Sequence, residues 1–62
     1  MNNKEMYRIV DDETGARLHE SFPRSGAVLW AARWCDDHGY SQINIDDESN
    51  VISVSLGKHV SR

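Results

Sequence analysis

The chain has 62 residues, of which 39% are hydrophobic, and a formal net charge of −3. A chain of this length hides only about 60% of the surface that its unfolded form exposes, which leaves little room for both a core and a deep active-site cavity. Its single cysteine excludes an internal disulfide and indicates a reducing compartment. No apolar run approaches the roughly 18 residues of a membrane helix, and the polar start does not resemble a signal peptide. We therefore expect a cytoplasmic protein without a membrane span.

The predicted elements form one small domain over residues 1–62, with a core over about residues 6–56 and frayed termini. Two similar acidic phrases, Asp-Asp-Glu-Thr-Gly at 11–15 and Asp-Asp-Glu-Ser-Asn at 46–50, stand on either side of the only helix-like segment. Each phrase has the composition of a hairpin turn that ends in a left-handed residue. The repeat therefore predicts two hairpins that flank one helix.

The first hairpin joins a β-rich segment, Met6 to Val10, to a second strand over Ala16 to Phe22. Gly15 provides the left-handed position that closes the turn. Alternation predicts that one face of the second strand carries three apolar side chains, namely Ala16, Leu18 and Phe22.

The helix is predicted over Gly26 to His38, with Ser25 as its N-cap and Gly39 after its last turn. At about 100° per residue, the apolar stripe that should face the sheet consists of Val28, Ala31, Ala32 and Cys35.

The second hairpin has the cleaner alternation. Ile43 and Ile45 alternate with polar residues, and the last strand continues the pattern with Ile52, Val54 and Leu56. Together these elements predict an α+β fold of ββαββ order, in which antiparallel hairpins form a four-stranded sheet and one helix packs on one face of it.

The helix is more apolar than one sheet face can cover. Trp30 and Trp34 are i, i+4 neighbours beside Arg33, so they could form an aromatic surface patch. Trp is enriched among residues that dominate binding at protein interfaces. The alternative is that strand ends, or Tyr40 and Phe22, cover both indoles.

The acids are concentrated in three clusters that hold eight of the ten Asp and Glu residues. If the helix makes a crossover to a parallel third strand, the helix end and the first turn share one end of the sheet. That geometry predicts one acidic edge of five carboxylates: Asp11, Asp12, Glu13, Asp36 and Asp37. It would suit a basic partner, although solvated turns are the plainer explanation.

Catalytic and metal-binding patterns are weak. Cys35 and His38 lie three residues apart, but structural zinc needs four donors, and a thiol on the apolar stripe is normally inert. The acidic turns lack the alternating ligands and the closing glutamate of a calcium loop. We expect no catalytic activity, no cofactor and no dedicated metal site.

In size, acidic balance and strand-helix-strand layout, the chain resembles small phage-encoded proteins of the type I anti-CRISPR kind. The resemblance implies a noncatalytic inhibitor that blocks a host protein or nucleoprotein complex by steric or acidic-surface mimicry. It places the partner-binding residues at Trp30, Arg33 and Trp34 and at the five acids of the predicted edge.

Two alternatives remain. A nucleic-acid module would use the polar sheet face through Arg8, Arg17, His19, Gln42 and Asn44, with Tyr7 as the strand aromatic for stacking. The acidic balance disfavours direct nucleic-acid binding. An antitoxin-like homodimer would bring the tryptophan patch against its own copy.

Overall fold

The computed structural model describes residues 5–57 and has the predicted ββαββ order. Its elements are β1 (Tyr7–Asp11), β2 (Arg17–Ser21), α1 (Arg24–His38), β3 (Gln42–Asp46) and β4 (Val51–Ser55). The prediction of frayed termini concerns residues 1–4 and 58–62 and lies outside the described residues. At 15 residues, α1 is too short to cross a bilayer, and the described part of the chain has no other helix that could do so.

The four strands form a single mixed sheet in the order β2-β1-β4-β3. Both hairpins are antiparallel, and β1 and β4 run parallel at the centre of the sheet. The chain therefore leaves one edge strand, crosses the sheet through α1, and returns at the opposite edge. The predicted α+β fold, with one helix on one face of a four-stranded sheet, is confirmed.

The core lies between α1 and the two central strands. Ile9, Ile52 and Val54 are fully buried, and each contributes about 1.5–3 kcal/mol through burial of its apolar surface. The helix meets them with small side chains, Ala27 and Ala31 among them, which allow its backbone to approach the sheet closely.

The predicted helix stripe is partly wrong. Ala31 and Cys35 are buried as expected, but Ala32 is exposed, Val28 is only half-buried, and Ala27 takes a core position. The buried stripe is thus rotated toward the side of the helix that carries Trp30 and Trp34. Both indoles pack against the core from that side.

The predicted apolar face of β2 is also wrong. Phe22 is 58% exposed and Ala16 is exposed, while Leu18 packs against the core. The cause is a bulge, since Ile9 pairs with His19 and the next residue of β1 pairs with Arg17, which leaves Leu18 as the extra residue. The bulge places His19 on the helix-facing side.

The ends of α1 differ in how well the sequence predicts them. The helix starts at Arg24 after Pro23, and no side chain caps it, so the prediction of Ser25 as N-cap is wrong. Gly39 ends the helix at φ 74°, and its N–H donates to the carbonyl of Cys35. This left-handed glycine was predicted, as was the left-handed Asn50 of the second turn at φ 56°.

Asp47 connects three elements at the end of the sheet where α1 begins. Its Oδ1 accepts hydrogen bonds from the Tyr7 hydroxyl at 2.6 Å and from Nε of Arg24 at 2.7 Å. The hydrogen bonds from Arg24 and Tyr7 lower the pKa of Asp47, and the bond to Asp47 raises the pKa of Tyr7. This carboxylate therefore joins the start of β1, the start of α1 and the second turn.

We predict that Asp47→Asn lowers the free energy of unfolding at neutral pH. Because the folded-state pKa of Asp47 is lowered, its stabilising contribution is present above the unfolded-state pKa of about 3.9 and disappears as pH falls through the folded value. Denaturant titrations from neutral to strongly acidic pH should therefore show the two proteins converging below about pH 4.

The matched control is Glu48→Gln, since within the described residues the Glu48 side chain has no hydrogen bond or ion pair. Its stability should follow that of the wild type at every pH. Equal stability of the Asp47→Asn variant and the wild type at neutral pH would contradict the prediction.

Candidate interaction surface

Four aromatic side chains form two stacked pairs, one helical turn apart, on the β2 side of α1. The ring of His19 stacks on Trp30, with centroids 4.4 Å apart and planes within 13°. One helical turn on, Trp34 stacks on His38 at 3.9 Å and within 9°. We call these residues, His19, Trp30, Trp34 and His38, the aromatic strip.

The aromatic strip is held in place and only partly covered. Trp30 and Trp34 are half-buried, and the two histidines are exposed. Trp34 also meets the ring of Tyr40 edge-on at 4.8 Å. Tyr40 therefore covers part of one indole, as the sequence alternative proposed, whereas Phe22 is 58% exposed. Trp30 and Trp34 are therefore neither fully covered, as in the first alternative, nor fully exposed as a surface patch, as in the second.

Arg33 adds a cation next to the aromatic strip. It is exposed, and within the described residues its guanidinium has no hydrogen bond or ion pair. The helical spacing places it i+3 from Trp30, on the outward side of the strip. An exposed arginine of this kind is available for a carboxylate or an aromatic face of a partner.

Asp11 lies inside the protein and not on the predicted acidic edge. It is only 6% exposed, and its Oδ2 accepts a hydrogen bond from the Tyr40 hydroxyl at 2.9 Å. Its Oδ1 accepts the N–H of Glu13 at 2.9 Å, which shapes the first turn. The hydrogen bond to Asp11 raises the pKa of Tyr40. These contacts give Asp11 a structural role that links the first turn to the segment after α1.

The exposed acids at this end are fewer than the sequence suggested. The carboxylate of Glu13 accepts the N–H of Leu56 at 2.9 Å. The side chains of Asp12, Asp36 and Asp37 are exposed and, within residues 5–57, have no hydrogen bond or ion pair. The first turn and the end of α1 do share one end of the sheet, as the Tyr40–Asp11 bond requires, so these three acids lie at that end.

Cys35, the candidate nucleophile, lies in the hydrophobic core. Cys35 is 5% exposed, and burial raises the pKa of its thiol, which disfavours the nucleophilic thiolate. Within residues 5–57 there is no enclosed pocket and no group of three His, Cys, Asp or Glu side chains placed to hold a metal ion.

The polar sheet face differs from the one that a nucleic-acid module would need. Tyr7, the expected stacking aromatic, is buried and bonded to Asp47. His19 faces the helix, and Arg17 forms an ion pair with Glu20 at 3.5 Å. An exposed aromatic platform on this face is therefore not available from these residues.

Sequence reasoning missed the histidines of the aromatic strip. The contact of His38 with Trp34 could have been predicted, because the two residues are i, i+4 neighbours on the helix. In the structure the Nδ1 of His38 also lies 2.9 Å from the carbonyl oxygen of Trp34. The contact of His19 with Trp30 could not have been predicted, because regular alternation of β2 does not include the bulge that turns His19 toward Trp30.

Comparisons with protein-family models, with curated proteins and with solved structures found no match for this chain. The functional interpretation therefore depends on the geometry of these residues.

We predict that Trp34→Ala costs more stability than Trp30→Ala. Trp34 contacts two rings and Trp30 one, and each aromatic pair is worth about 0.5–1.5 kcal/mol beyond area burial. For half-buried indoles we expect losses of about 2–4 kcal/mol at Trp34, which overlaps the lower part of the range of about 3–5 kcal/mol for core tryptophan, and of about 1–2 kcal/mol at Trp30, which lies below it. Urea unfolding followed by circular dichroism measures both, and the reverse order would contradict the ring geometry.

Proposed function

We propose that this protein is a noncatalytic module that binds another protein through the aromatic strip and Arg33. The observation that carries the proposal is a pair of half-exposed indoles, each stacked on an imidazole, next to a guanidinium that has no hydrogen bond or ion pair among the described residues. Trp and Arg are enriched among residues that dominate binding energy. Because the stacked rings are already ordered, binding loses less side-chain entropy at this surface than at a mobile one.

The charge next to the aromatic strip favours a basic partner. Asp36 and Asp37 continue the exposed side of α1 beyond Trp34, and Asp12 lies at the same end of the sheet. Exposed acids without a partner in the described residues are suited to lysines and arginines of another protein. A protein surface that normally binds nucleic acid carries such lysines and arginines. Nucleic acid itself carries negative charge, so the exposed acids disfavour its direct binding to this chain.

The further step in the proposal is inhibition. An acidic domain of 62 residues that occupies a nucleic-acid-binding surface acts as a stoichiometric block by bulk or by charge mimicry. This is the mechanism implied by the resemblance to small phage proteins of the type I anti-CRISPR kind, and it places the protein in the cytoplasm of a bacterial host. The second candidate is an antitoxin-like homodimer in which the tryptophan patch meets its own copy, which the half-exposed indoles favour.

The test is phage plating on bacteria that carry an active type I CRISPR system targeting that phage. We predict that the wild-type protein restores plating and that Trp30→Ala does not, because loss of a central indole weakens binding by about 2 kcal/mol, or about thirty-fold. Replacing Asp12, Asp36 and Asp37 together with Asn should also reduce inhibition if the partner is basic.

Leu29→Ala is the matched control, because Leu29 is 58% exposed on the same helix but lies outside the aromatic strip. It should inhibit as the wild type does, and far-UV circular dichroism confirms that each variant is folded. Failure of the wild-type protein to protect phage from any type I system tested would overturn the inhibitor function. Loss of inhibition with Leu29→Ala but not with Trp30→Ala would overturn the assignment of the surface.

A further inference from the structure

The two edges of the sheet differ in how they resist pairing with another strand. β2 contains a bulge and the Arg17–Glu20 ion pair, both of which discourage strand addition. β3 pairs regularly with β4 along all five residues and carries a single charged side chain, Asp46. Of the two edges, β3 is therefore the one that another strand can extend.

Along β3, the backbone N–H and C=O groups of successive residues point alternately toward β4 and away from it. Two of its residues direct these groups away from β4. The carbonyl of Val54 accepts the N–H of Asp12 at 2.8 Å, on the side of β4 that faces β1. Val54 therefore does not bond to its register partner Ile43, and the same alternation applies to Ile52 and its partner Ile45. The N–H and C=O groups of Ile43 and Ile45 consequently point away from the sheet, at an edge with which no other described strand pairs.

The side chains of these residues are also incompletely covered. Ile43 is 37% exposed and Ile45 is half-buried. The large indoles lie on the other side of α1, where Trp30 stacks on the histidine of β2. The flank toward β3 carries only smaller residues, Val28 and Ala32, so the helix leaves apolar surface open along this edge.

We propose that β3 pairs antiparallel with β3 of a second copy of this chain, around a two-fold axis at Asn44. In this register Ile43 lies opposite Ile45 of the second copy, so their four outward backbone groups per copy all form hydrogen bonds and their side chains cover each other. Asn44 meets its own copy on the polar face, and Gln42 lies opposite Asp46.

The charges favour this register over its neighbours. The amide of Gln42 is a donor for the carboxylate of Asp46, while the two copies of Asp46 stay about 13 Å apart along the strands. A two-fold axis at Ile45 would bring the two acidic second turns together. An axis at Ile43 would leave Asp46 opposite residues beyond the strand. Only the axis at Asn44 pairs all five residues of β3.

This proposal does not depend on the proposed function. A two-fold axis perpendicular to the sheet produces an eight-stranded sheet with both helices on one face and the two aromatic strips at its far edges, where each stays accessible. Because each copy contributes one strand of five residues, we expect the interface to bury less than the roughly 1,200 Å² of a stable complex, and the dimer to be weak and to form only at high protein concentration.

The register is tested by disulfide formation under mild oxidation. Facing Cα atoms of a non-hydrogen-bonded pair lie about 4.5 Å apart, which a disulfide spans, so Asn44→Cys should cross-link to itself. Gln42→Cys is the matched control on the same strand face, and it should cross-link at least about tenfold more slowly because its copies are about 13 Å apart. Equal rates, or no cross-link at Asn44→Cys, would overturn the proposed register.

The dimer itself is tested by sedimentation equilibrium up to about 1 mM protein. The wild-type protein should dimerise. Asn44→Lys and Asn44→Asp should each stay monomeric, because residue 44 would then lie opposite a residue of the same charge in the second copy. An equimolar mixture of the two variants should dimerise, because opposite charges then face each other. Asn44 is exposed, so both variants should fold, as circular dichroism checks. A monomeric wild type, an Asn44→Lys variant that dimerises as wild type does, or a dimer that Trp30→Ala abolishes would overturn the proposal.

Discussion

Close contact between α1 and the two parallel central strands determines the arrangement of everything else in this protein. Because the helix presents Ala27, Ala31 and Cys35 to the sheet, its backbone lies near Ile9 and Ile52, which are fully buried. A helix so close to the sheet has no room to bury a tryptophan centrally. The indoles are therefore displaced to the β2 side, and the β3 side is left with smaller residues.

Two carboxylates, the exposed Asp47 and the buried Asp11, hold the ends of this arrangement. At one end Asp47 accepts hydrogen bonds from Tyr7 and Arg24, and at the other Asp11 accepts one from Tyr40. In both cases the acid belongs to an acidic hairpin turn, and its partner belongs to a different element. Part of the negative charge that looks like a binding surface in the sequence thus stabilises the fold, and the charge free for a partner is smaller and lies nearer the end of α1.

The asymmetry of the helix produces two surfaces with different properties. On the β2 side, Trp30 stacks on His19 of the edge strand and Trp34 stacks on His38 of the helix itself. Arg33 lies next to these rings and has no hydrogen bond or ion pair within residues 5–57. On the β3 side, the edge has outward backbone groups and a 37% exposed Ile43, and no other strand of residues 5–57 pairs with it. The first surface is suited to side-chain recognition of another protein, and the second to extension of the sheet.

The sequence by itself determined the element order, both left-handed turn residues at Gly15 and Asn50, and the inward isoleucines, because these follow from local alternation and backbone preferences. Only the tertiary structure decided the rotation of α1, the burial of Asp11 and the placement of His19 beside Trp30. Each of these depends on a contact between residues far apart in the chain, and the last also depends on a bulge that changes the side-chain alternation of β2. Periodicity describes one element at a time, so it predicts which elements form but not which of their partly apolar sides is covered.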